Sequence, residues 1–189
     1  METPTIKVKY SFNKELRQFL RALHNDKLPW LRGLLFKVFP ELEVLLKNCS
    51  SSSEEEKIVK NFIIRFRKKH QKAINYIVKN VESIFSRKSK KALKELASLM
   101  DYQWPKGFSE YIAIPTILPH SPFEKDTYYF SVLEQVYNNK CDALDIFRLS
   151  IHEISHIILF DIFRKNKNEL NFNESESIIR LARNKRLFR

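Results

Sequence analysis

Residues 142–165 read DALDIFRLSIHEISHIILFDIFRK, and the fold is decided here. The stretch is strongly apolar, contains neither Gly nor Pro, and opens on Asp142, a residue suited to a helix start. It reads as one long helix. Its most apolar part, residues 151–163, is broken by His152, Glu153, His156 and Asp161 and is too short to span a bilayer. Inside it, His152-Glu153-Ile154-Ser155-His156 forms the pattern HExxH. Residues four apart on a helix differ by roughly 40° in direction, so both imidazoles can address one metal ion. Glu153 stands beside them and need not be a ligand. In that geometry it can take a proton from zinc-activated water and pass it to a leaving amine.

Two histidines are too few for a catalytic zinc site, which usually has three protein ligands and one open position. The longer pattern HExxHxxGxxH fails, because Leu159 and Ile162 occupy its Gly and third His positions and no histidine follows His156. The third ligand is therefore expected to be a carboxylate. Asp161 lies five positions from His156 and points roughly 140° away on a continuous helix, which leaves Glu169, Glu174 and Glu176. By helical position, Glu174 shares a face with Ile178 and Leu181, whereas Glu176 shares one with Arg180 and Arg183.

In this motif and the acids after it, the chain resembles the gluzincin group of zinc metallopeptidases over about residues 145–184. In that group the HExxH helix is followed, after a turn, by a second helix that supplies a glutamate. The resemblance implies Zn²⁺ held by His152, His156 and Glu176, with Glu153 as catalytic base. Glu176 is favoured because it follows His156 by twenty positions, as in thermolysin-like members. Glu174 is the alternative third ligand, because Asn173-Glu174 matches the Asn-Glu dipeptide found at the ligand position in many gluzincins. The resemblance further implies a strand bordering the cleft that pairs with an extended peptide, for which residues 111–116 are the candidate. His120, Tyr128 and Tyr129 are candidate donors to an oxyanion.

Working outward, residues 5–12 alternate Ile6, Val8, Tyr10 and Phe12 with polar residues, the period of a half-buried strand. Asn13 is placed to cap a helix through about Asn25. Pro40 divides an apolar helical segment near Phe39. Ser53 and Glu56 fit a capping box before a long helix, with a bend expected near residues 68–72. Residues 90–100 read as a further short helix. Trp104, Pro105 and Gly107 mark a change of structure. Residues 110–116 and 127–132 read as strands forming a hairpin or two edges of a small sheet. A last helix is expected to begin near residues 171–173.

The chain has 189 residues, of which 43% are hydrophobic, with 2 Gly and 7 Pro. So few turn residues argue against a sandwich or barrel of many short strands, and two glycines exclude Gly-rich phosphate loops. Cys49 and Cys141 are unclustered, which suits a reducing cytoplasm and excludes a Cys-based zinc site. The N-terminus lacks the pattern of a secretion signal. The expectation is a predominantly helical α+β protein forming one zincin-like domain over residues 1–189. Residues 1–100 would be mainly helical, and residues 101–189 would supply a small sheet and the metal-binding helices.

The net charge of +12 has a local source: the segment from Lys57 to Lys91 holds twelve Lys or Arg and one acid, Glu82. Such a segment can follow nucleic-acid phosphates or contact an anionic surface. Two functions therefore compete. The first is a zinc metallopeptidase acting on a peptide or protein substrate. The second is a basic helical nucleic-acid-binding protein with a structural or inactive metal site.

Overall fold

A computed structural model describes residues 2–140, 142–165 and 172–183; Glu169 and Cys141, considered above, lie outside them. The chain is a predominantly helical α+β protein with a small mixed sheet. Its elements run β1 (Thr5–Val8), α1 (Phe12–Leu23), α2 (Trp30–Val38), α3 (Pro40–Leu46), α4 (Ser52–Lys69), α5 (Gln71–Leu99), β2 (Glu110–Thr116), β3 (Phe123–Glu124), β4 (Thr127–Ser131), α6 (Leu133–Asn138), α7 (Ala143–Lys165) and α8 (Phe172–Arg183). No helix among the described residues is long and apolar enough to cross a membrane.

Local chemistry sets most element boundaries. The first strand stops at Val8 instead of reaching Phe12, because Ser11 turns its hydroxyl onto the Lys14 amide and starts α1 there, two residues before Asn13. Pro40 occupies the first turn of α3, where its missing N–H costs nothing, and the break falls at Phe39. The cap of α4 is Ser51 rather than Ser53. Ser51 accepts from the Glu54 amide, and the Glu54 carboxylate turns back to accept from the amide and hydroxyl of Ser50. The expected bend near residues 68–72 is a full break at His70. Beyond it α5 runs without interruption through residues 90–99, because neither Gly nor Pro interrupts it.

The sheet has the order β1-β2-β4-β3. The strands at 110–116 and 127–131 are parallel neighbours, not a hairpin, and the hairpin is instead the β3–β4 pair. Its two-residue turn puts Lys125 at φ +49°. Strand alternation sorts the side chains into two faces. Toward α1 point Thr116, Thr127, Tyr129 and Glu124, met by Glu15, Lys14, Gln18 and Arg21. Phe123 points the other way, toward α7. On that side α5 packs along β1 and α7, and α7 in turn meets β4, β3 and α8. A helix enclosed like this must be apolar around most of its circumference, as residues 143–165 are. Its polar motif residues are accordingly buried: His152, Glu153, Ser155 and His156.

Candidate metal centre

The start of α7 follows from Asp142, whose carboxylate accepts from the Leu144 amide while its carbonyl accepts from Asp145 and Ile146. The two histidines sit three turns further on. His152 Nε2 and His156 Nε2 lie 3.2 Å apart. The Glu176 carboxylate on α8 completes a triangle, with Oε1 3.0 Å from His156 Nε2 and 3.3 Å from His152 Nε2. Tetrahedral coordination at about 2.0–2.1 Å places ligand atoms roughly 3.3 Å from one another. The observed separations match that spacing, so the donor set of two imidazoles and one carboxylate fits a zinc-type ion.

Tautomer chemistry points the same way. His156 Nδ1 lies 3.0 Å from the hydroxyl of Ser175, which is wholly buried. When Nδ1 donates to that hydroxyl, Nε2 presents its lone pair to the centre of the triangle. In the other tautomer Nε2–H donates to Glu176 Oε1 at 3.0 Å, so without a metal a proton takes the place between the two groups that a cation would fill. Burial and the neighbouring His152 lower the pKa of His156. Burial pushes Glu176 up, but the charges and hydrogen bonds of His152 and His156 outweigh it and hold the carboxyl below its ordinary value.

Glu153 is buried in the same region. Burial, reinforced by the negative charge of Glu176, pushes its carboxyl up to about 8. A dication held by His152, His156 and Glu176 would oppose both causes and favour the ionised form that a base requires.

The two candidates for the third ligand part clearly. Glu176 is at the centre, whereas Glu174 is exposed. The inward positions of α8 include Ser175 and Ile179, one helical turn apart, and Ile178 is 39% exposed. The stripe that favoured Glu174 is thus not the face that docks. Asp161 is occupied elsewhere, accepting from Tyr102 Oη at 2.7 Å and pairing with Lys165 Nζ at 2.7 Å.

Sequence reasoning missed Ser175 and Phe123. The Phe123 ring stacks on His156 at 5.5 Å and 8° and also meets Phe160, so the edge strand β3 roofs the centre. The strand at 111–116 is not an edge strand, because β2 lies between β1 and β4, so a peptide cannot add alongside it as a neighbouring strand. Among the oxyanion candidates, Tyr129 is engaged by Gln18 on the opposite face of the sheet. Tyr128 is wholly buried, its hydroxyl directed toward Ser150 and Glu153 without a well-formed hydrogen bond. His120 lies in the 117–122 connection, where burial pushes its imidazole down to about 4. Beyond Phe123 a cavity of about 480 Å³ opens, walled by Tyr102, Phe108, Tyr111 and Phe160.

The chain matches no protein-family model, no curated protein and no solved structure.

Ser175 carries a prediction of its own. Ser175→Ala removes the partner that orients His156, and zinc affinity, read by competition with a chromophoric chelator, is expected to fall about 10–100-fold. Unchanged affinity would remove Ser175 from the centre.

Proposed function

We propose that the protein is a zinc-dependent hydrolase of the gluzincin kind that cleaves a peptide or protein substrate. The observation that carries this reading is the convergence of His152, His156 and Glu176 at 3.0–3.3 Å, donated by two separate helices. The buried carboxyl of Glu153 stands beside them. A zinc ion in such a three-ligand site supplies a Lewis acid that polarises a carbonyl and activates water. The chain's own residues do the rest. His152, His156 and Glu176 hold the ion, and Ser175 fixes the orientation of His156. Glu153 removes a proton from the attacking water and returns it to the departing amine, so one carboxyl serves as base and then acid.

Substrate placement is read from the roof. β3 pairs with β4 through Phe123 and Glu124 and has no strand on its other side among the described residues, so an extended peptide can add there by backbone pairing. The aromatic cavity beyond Phe123 offers room for one of its apolar side chains. The proposed setting is the cytoplasm, on the grounds that Cys49 and Cys141 are unclustered and Cys49 makes no disulfide among the described residues.

Metal content tests this reading first. Gently purified protein is expected to carry about one zinc per chain, lost in His156→Ala and Glu176→Ala and kept in Glu174→Ala. A parent chain that takes up no metal even after zinc addition would overturn the proposal. Retention of zinc by Glu176→Ala with loss in Glu174→Ala would reassign the third ligand.

A further inference from the structure

The exposed side of α5 is organised in a way that the metal centre does not use. Successive positions at helical spacing, Lys72, Tyr76, Lys79, Ser83, Arg87, Lys90 and Lys94, are all exposed. At 100° per residue they fall within one narrow stripe over about 33 Å of helix. Glu82 and Glu95, the two acids of α5, project roughly 100° or more from its centre. Of the five cations, Lys72, Lys79 and Lys94 make no ion pair among the described residues. Lys90 reaches only the exposed Glu2 at 3.8 Å, and Arg87 donates from Nε to the Ser83 carbonyl. This row of positive charge is held on a rigid helix whose opposite face is fastened to β1 and α7.

We infer that this stripe binds the phosphate backbone of double-stranded nucleic acid without reading sequence. Axial separations of about 10 Å between Lys72 and Lys79 and about 12 Å between Lys79 and Arg87 are close to the roughly 12 Å width of a duplex major groove. A helix laid across a groove with that spacing meets phosphates on both walls. Single strands are instead held on stacking platforms, and Phe62, Phe66 and Phe85 are buried, leaving Tyr76 as the exposed aromatic of α4 and α5. An anionic membrane would be met by a helix with an apolar face free to insert, and that face of α5 lies in the core.

The test is fluorescence anisotropy with a labelled 20-base-pair duplex across a salt series, using the full chain with and without zinc. Binding is expected to weaken with salt at a log–log slope of roughly −4 to −5, as about five phosphate contacts require, and to ignore zinc removal. Combined Lys79→Glu, Arg87→Glu and Lys94→Glu should lower affinity about 100-fold and reduce the slope by about 3. Lys79→Gln, Arg87→Gln and Lys94→Gln should lower it less. The zinc content and thermal midpoint of both variants should match the parent, which separates loss of binding from loss of fold and from any failure of the zinc reading. Affinity unchanged by these substitutions would overturn the inference. So would tighter binding to single strands, or to phosphatidylserine vesicles, than to the duplex at equal salt.

Discussion

Glu153→Gln is expected to leave zinc bound and to lower peptide turnover about 10²–10⁴-fold, the range attributable to one positioned acid–base group. The substitution keeps the size of the side chain and removes only its capacity to exchange a proton. Neither His152 nor His156 is touched. Glu153 lies in a buried pocket beside Glu176 that raises its carboxyl to about 8, so near neutral pH the metal-free parent must take up a proton there on folding, a cost that the neutral amide avoids. The metal-free variant should for that reason be at least as stable as the parent, and loss of turnover cannot be ascribed to unfolding. The measurement pairs zinc content with single-turnover cleavage of a peptide library. Full activity in the zinc-loaded variant would show that another group moves the proton.

Arg67→Ala is expected to cost about 3–5 kcal/mol of folding stability, because it strands a buried carboxylate. Glu15 is wholly inaccessible, and Arg67 meets it through Nε at 2.7 Å and Nη2 at 3.1 Å. The same carboxylate accepts from Tyr10 Oη, Thr116 Oγ1 and the Ile117 amide, and Arg67 also donates to the Pro115 carbonyl at 2.6 Å. One ion pair thus ties α1 and α4 to the end of β2. The chain leaves β2 there for the connection that delivers Phe123 to His156, so the damage should extend to the roof of the metal centre. Urea unfolding gives the stability and chelator competition gives the zinc affinity. The double variant Arg67→Met with Glu15→Leu leaves no charge stranded and should recover part of the loss, the rest reflecting the buried Ile117 amide and Thr116 hydroxyl that lose their acceptor. A single-variant cost below about 1 kcal/mol would mean that water reaches Glu15 when Arg67 is gone.

These two sites were unequally legible in the sequence. The spacing of His152, Glu153 and His156 is a local matter, since four residues of helix determine how two side chains lie, and the apolar context of residues 142–165 makes that helix certain to form. Glu15 and Arg67 are separated by 52 positions. Each alone reads as an ordinary charged residue on an amphipathic helix, and nothing local marks their meeting. The aromatic residues of the basic segment are an intermediate case: helical periodicity assigns Phe62, Phe66, Tyr76 and Phe85 to the core, and the structure buries the three phenylalanines but leaves Tyr76 exposed.

By itself, the sequence determined the helical class, the break at Pro40, the helix that starts after Asp142 and the two imidazoles it presents, because these depend on contacts within a few residues. Tertiary structure alone decided the rest. The parallel pairing of β2 with β4 and the edge position of β3 are long-range pairings. The choice of Glu176 over Glu174 depended on how α8 docks. A buried serine occupies the inward face, 3.0 Å from His156 Nδ1, and this polar residue breaks the hydropathy pattern from which the docking face would otherwise be read.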